Sequence, residues 1–181
     1  MQTQNKYHTA ILKLVYAALC LALCMVLPFL TGQIPEIGNM LCPMHIPVLL
    51  AGFLCGPWWA MGVGFIAPAL RYLLFGMPAL LPAGIPMMFE LLTYGLVVGL
   101  LYHLFPKKTA YIYVSLIGGM IAGRIIWGIA AIIIFGAMSK TFTWAAFFAG
   151  AVVNAIPGII LQVILIPVLV LALQKAKIIA K

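Results

Sequence analysis

The chain has almost no acid. Among its 181 residues there is no Asp, and the only two carboxylate side chains are Glu36 and Glu90. Charged residues of both signs make up 7% of the chain, against 66% hydrophobic residues and a mean hydropathy of +1.24. An ordinary soluble domain is about half apolar and about one-quarter charged. A water-facing shell cannot be built from this composition, so a soluble globular fold is excluded, and so is a disordered chain. Serine is nearly missing too: Ser115 and Ser139 are the only ones, and neither lies in a G-x-S-x-G setting, so a serine nucleophile has no support. There is no G-x-x-x-x-G-K-[ST] phosphate loop and no H-E-x-x-H pair. Cys20, Cys24, Cys42 and Cys55 form no C-x-x-C pair and are read as packing residues. The three histidines, His8, His45 and His103, are scattered. No metal, no cofactor and no enzymatic activity are expected.

What is present is long apolar sequence. Runs such as 125–135 and 156–173 are unbroken, whereas a membrane β-barrel would alternate polar and apolar residues in short segments. The fold class expected is an all-α membrane protein. The first stretch, MQTQNKYHTA, lacks a signal-peptide cleavage site, and the apolar run after it is long enough to remain as a span. Six spans are expected, at 10–30, 44–56, 58–75, 85–105, 111–135 and 144–173, within a single integral membrane domain of residues 1–181. The second is short. Pro68 is expected to break the third late, and Pro157 and Pro167 to kink the sixth.

The formal charge of +8 does not point to nucleic acid, because the basic residues are not gathered on one face. Lys6 and Lys13 precede the first span, Lys107 and Lys108 separate the fourth from the fifth, and Lys175, Lys177 and Lys181 follow the sixth. With six spans these three places share one side. The positive-inside rule makes that side cytoplasmic and puts both termini there. A five-span count would set the charges in conflict, which is the reason to keep 44–56 as a span, tilted or extended.

The polar residues within the spans are unevenly distributed. Counting from the span ends places His45, Arg71, Glu90, Arg124, Trp127 and Asn154 in the outer half, with little beyond Gln162 and His103 in the inner half. A channel or proton relay would carry polar groups through the full thickness. Ionisable groups in hydrocarbon cost a few kcal/mol and face the protein interior or a cavity, so this pattern describes a recess open to one side. A purely structural pairing of Glu90 with Arg124 or Arg71 is the competing reading. His45 alone reads as a helix-start residue. Tyr94 and Trp127 each lie one turn from a charge, Glu90 and Arg124, which places them on the cavity face. The Gly/Pro-rich connections TGQIPEIGNMLCP and FGMPALLPAG lie on the same side and suit either lids or tight links. Small residues recur at four-residue spacing, as in Ala18/Ala22, Ala60/Gly64, Gly95/Gly99 and Gly119/Gly123, a spacing that lets helices approach closely.

With about six spans in a small basic chain, the Ala18-x-x-x-Ala22 face, and the stretch MLCPMHIPVLLAGFLCGPWWAMGVGFIAPALRYLLFG, the sequence resembles the substrate-binding (S) components of energy-coupling factor vitamin transporters over nearly its whole length. The resemblance implies a prokaryotic plasma-membrane subunit that binds a vitamin or precursor from outside with high affinity. It also implies a transmembrane T component and two cytoplasmic ATPases as partners, with ATP hydrolysis toppling the subunit so that its pocket opens inward. Ala18 and Ala22 would dock the T component. The pocket would draw on Glu36, Glu90, Tyr94, Arg124, Trp127 and Asn154, with Arg71 nearby. Glu90 can accept from an amino or ring N–H, either arginine can hold an oxygen, and the aromatic rings can stack on a ring. A B6 vitamer or pyrimidine-type heterocycle fits best, with pantothenate close behind. The alternative is a stand-alone proton-coupled secondary transporter of a small organic solute, with Glu90 as the titrating group.

Overall fold

The structure is a computed structural model, and it describes residues 2–31, 40–138, 143 and 155–179. The described elements are helical throughout, with no strand among the described residues. In chain order they are α1 (Gln2–Val26), α2 (His45–Leu54), α3 (Pro57–Phe75), α4 (Ile85–Leu104), α5 (Thr109–Ala137) and α6 (Ile156–Lys175). A 3-10 turn, Leu27–Thr31, extends α1, and a short helical turn, Leu80–Gly84, leads into α4.

The bundle is organised around α4. Its Pro86, Glu90, Tyr94, Val98 and Tyr102 recur every four residues and are all buried, so one continuous stripe faces inward. The helix packs against α2, α3 and α5. In α5 the pattern is complementary: Ile112, Leu116, Gly119 and Gly123 are buried, whereas Ile117, Ile121, Ile125 and Ile129 are exposed. An apolar stripe left exposed on a helix this hydrophobic is a lipid-facing surface. Between α3 and α4 the approach is set by glycine. A Cβ on Gly64 would lie 2.2 Å from the Leu91 carbonyl oxygen, and one on Gly95 2.4 Å from that of Ala60. Without a hydrophobic force between helices in lipid, such backbone-to-backbone contact is what holds them.

Five helical stretches are long and apolar enough to cross a membrane: Tyr7–Leu30, Pro57–Phe75, Leu80–Leu104, Thr109–Ala137 and Ile156–Lys175. The six-helix bundle expected from sequence is present, but its second member differs from a full span. With 10 residues, α2 is about 15 Å long, half the roughly 30 Å of hydrocarbon. Helix ends facing lipid at that depth would leave backbone groups unsatisfied. The bundle resolves this by enclosure: His45, Pro47, Val48, Leu49, Ala51, Gly52 and Phe53 are all buried, among α1, α3, α4 and α6. Gly56, at φ 86, turns the chain from α2 into α3 in a conformation that L side chains rarely adopt.

The prolines behave differently from expectation in two places. Pro68 does not end the third helix, because α3 runs through it to Phe75. Pro157 lies in the first turn of the described α6, where its missing N–H would have had no intrahelical partner in any case. The earlier part of the expected sixth span falls outside the described residues, as does most of the connection that carries Glu36.

Candidate functional site

Glu90 lies five residues into α4, about 8 Å along the helix from Ile85. Its side chain is only 2% exposed. A carboxylate sunk this deeply needs partners, and three elements supply them at one oxygen. From the next turn of α4, the Tyr94 hydroxyl donates to Oε1 at 2.9 Å. From the middle of α5, Arg124 Nη1 reaches the same oxygen at 3.1 Å. From the first residue of α2, His45 Nε2 lies 3.5 Å away, within ion-pair reach for a protonated ring but without a hydrogen bond. The His45 ring meets Tyr94 edge-on, with centroids 5.5 Å apart.

The second guanidinium nitrogen of Arg124, Nη2, points toward Cys42 Sγ at 3.9 Å. Cys42 sits just before α2 with a left-handed φ of 48, a conformation uncommon outside glycine. The segment that carries it lies close on α6: a Cβ on Gly158 would come within 2.6 Å of the Met40 carbonyl oxygen.

Polar capacity remains in the cluster. Both ring nitrogens of His45 and Nε of Arg124 are buried without a hydrogen-bond partner. An unsatisfied buried donor or acceptor costs about 1–3 kcal/mol. His45 Nε2 at least faces the Glu90 carboxylate, whereas His45 Nδ1 and Arg124 Nε mark a place where the fold tolerates a cost that a bound molecule would relieve. The cluster holds a charge pair, an imidazole and a phenol, with the Cys42 thiol beside the guanidinium.

The structure thus brings together Glu90, Tyr94 and Arg124 from the residues singled out in the sequence. Trp127 lies half-buried one turn beyond Arg124. Arg71 has other neighbours: it is buried, Nη1 donates to the Met25 carbonyl at 2.8 Å, and its guanidinium lies over the rings of Phe29 and Phe75 at 5.5 and 5.3 Å. That arrangement ties the end of α1 to the end of α3. Glu36 and Asn154 lie outside the described residues. Two residues enter that the sequence did not assign to a site, His45 and Cys42. The sequence carried a partial signal for both, since they stand three apart just where a polar-poor chain enters its shortest apolar run.

Gly123 shapes the site from behind. A Cβ there would fall 2.0 Å from the Tyr94 ring, so the ring packs against α5 only because this position lacks a side chain. Gly123→Ala is expected to push the phenol off Glu90 and to weaken ligand binding by about 1 kcal/mol or more, the scale of a lost buried hydrogen bond. Titration calorimetry on the folded variant checks this, and unchanged affinity would show that Tyr94 does not shape the site.

The family model described as ECF transporter, substrate-specific component, matches residues 12–170. The chain belongs to that family. No curated protein and no solved structure matches it at a significant level. As an energy-coupling factor S component it is a multi-pass protein of the plasma membrane and a transporter subunit, not a member of an enzyme family. An S component of this family takes a vitamin-type substrate and works in association with other transporter subunits.

Proposed function

We propose that this S component captures its substrate at the His45–Glu90–Tyr94–Arg124 cluster from the outer side of the membrane. Uptake would then follow association with a T component and two ATPases. The observation that carries the reading is the buried His45 Nδ1 and Arg124 Nε, neither with a hydrogen-bond partner, beside the Glu90–Arg124 ion pair. Lys107 and Lys108, together with the basic C-terminal end, support cytoplasmic termini and an outward cluster. Trp127 belongs to the same helix face region and supplies a ring for stacking. Glu36 and Asn154 complete the set by their place in the sequence, and Arg71 fixes the scaffold beside it. A B6 vitamer or pyrimidine-type compound is the preferred substrate, ahead of pantothenate.

Docking of the T component is assigned to Ala18 and Ala22. Both are exposed on α1, while Ala17, Cys20 and Cys24 on the same helix are buried. The small pair therefore faces away from the bundle, where another membrane helix can approach closely. Ala18→Trp with Ala22→Trp is expected to abolish co-purification of the T component while ligand affinity stays within about twofold, less than 0.5 kcal/mol. Loss of ligand binding in a folded double variant would contradict the docking role.

Reconstitution in vesicles tests the whole reading. Uptake should require the T component, the ATPases and ATP, and this chain alone should take up nothing. Uptake by the chain alone, following a pH gradient, would establish the proton-coupled alternative instead.

A further inference from the structure

We propose that Gln162, on the inward stripe of α6, contacts the substrate, which is held between this carboxamide and the Glu90–Arg124 pair. The inference rests on the reading of this chain as a binding subunit and goes further, to a residue and a helix that the cluster does not include.

Two contacts fix how α6 runs beside α4. At the site end, a Cβ on Gly158 would come within 2.6 Å of the Met40 carbonyl oxygen, on the segment that leads to Cys42. At the opposite end, Gln174 Nε2 donates to the Tyr102 hydroxyl at 2.8 Å. The two helices therefore run in the same direction. Counting back from that hydrogen bond by the same number of residues, 174 to 162 on α6 and 102 to 90 on α4, is about 18 Å on each helix and reaches Gln162 and Glu90. Counting from the span ends put Gln162 in the inner half; the register raises it to the level of Glu90. Both residues lie on buried stripes. Gly158, Gln162, Ile166, Val170 and Gln174 recur every four residues along α6 and are all buried, as Pro86 to Tyr102 do on α4, so both side chains belong to the interior.

The two levels differ in what the side chains do. At Tyr102 and Gln174 the helices are joined by a direct hydrogen bond. At Glu90 and Gln162 they are not. Glu90 turns to Tyr94, Arg124 and His45. Gln162 is only 2% exposed, and among the described residues nothing hydrogen-bonds to its carboxamide. A buried amide has donors and an acceptor to satisfy, and leaving them unmade is destabilising. A molecule lying between the two helices at this level would satisfy the amide on one side and meet the ion pair on the other. Such a molecule carries hydrogen-bonding groups on two opposite sides, not a single polar head with an apolar remainder.

The test uses the full chain purified from membranes, as wild type and as Gln162→Met, which keeps the side-chain length and removes the amide. After dialysis to remove bound compounds, Gln162→Met should unfold at the same temperature as wild type or higher, because an unmet buried amide has been replaced by an apolar group. Mass spectrometry should find the compound retained by undialysed wild type missing from the variant. Of hydroxymethylpyrimidine, pyridoxine and pantothenate, whichever wild type binds should bind the variant at least about tenfold more weakly. Ser115→Ala is the control: its hydroxyl is also buried without a partner, but it lies about 14 Å along α5 from Arg124, so retention and affinity should match wild type. A lower unfolding temperature for dialysed Gln162→Met would mean that the amide holds the fold together. Unchanged retention and affinity in that variant, or equal loss in Ser115→Ala, would mean that Gln162 does not touch the substrate. Each of these overturns the assignment of Gln162 and leaves the binding-subunit reading standing. A wild type that retains no compound and binds none of the three probes would overturn that reading, and this inference with it.

Discussion

Glu90→Ala is expected to destabilise the protein by about 3–5 kcal/mol, the usual consequence of removing one partner from a buried ion pair. The cause is what remains. Arg124 keeps a positive charge in the bundle with its nearest oxygen gone, and the Tyr94 hydroxyl, fully enclosed, loses its acceptor. An orphaned buried hydroxyl alone costs about 1–3 kcal/mol. Glu90→Gln should fall between wild type and Glu90→Ala, since its amide oxygen can still accept from Tyr94 while the charge is lost. Thermal unfolding in detergent, followed by size-exclusion chromatography, reads the order directly. An Ala variant as stable as wild type would mean that the pair is not buried as the structure shows.

Gly95→Leu is expected to prevent folding altogether, and Gly95→Ala to cost about 1–3 kcal/mol through overpacking. The new Cβ would meet the Ala60 carbonyl at 2.4 Å, and the opposing Gly64 has the same relation to Leu91 at 2.2 Å. Both obstacles are backbone, so no change of rotamer relieves them and α3 must separate from α4. Because Glu90 and Tyr94 lie on α4, that separation would also displace the site. Gly62 is the control: nothing lies within 4 Å of a Cβ there, so Gly62→Ala should be neutral or stabilising by up to about 1 kcal/mol through helix propensity alone. Folded yield and unfolding temperature of the three variants decide the matter, and equal tolerance at positions 62 and 95 would contradict the close approach of the two helices.

The fold was largely legible in the sequence because hydropathy and length state directly which segments can lie in lipid. The exception is α2, whose apolar run reads as a span although only 10 residues are helical. Its burial is a tertiary fact that hydropathy cannot register. Within the site, Glu90 and Tyr94 could be paired from helical spacing alone, and Arg124 could be matched to Glu90 because charges are so few. Cys42 and His45 could not, since a residue near a helix start carries no periodicity and only the packing of α2 against α4 brings it close. Arg71 shows the opposite limit. Its burial was foreseeable, but its partner is a backbone carbonyl. Pro28, three residues after Met25, lacks the amide that a 3-10 turn would direct at that carbonyl, and the guanidinium supplies the donor instead.

Equilibrium binding of the compound retained by the purified protein, measured on wild type and on Arg124→Gln, bears most directly on the central claim. If the buried cluster is the capture site, Arg124→Gln should bind at least about tenfold more weakly, a loss near 1.4 kcal/mol, with the folded state verified by its unfolding transition. Wild-type affinity in a folded Arg124→Gln protein would place substrate capture elsewhere in the bundle.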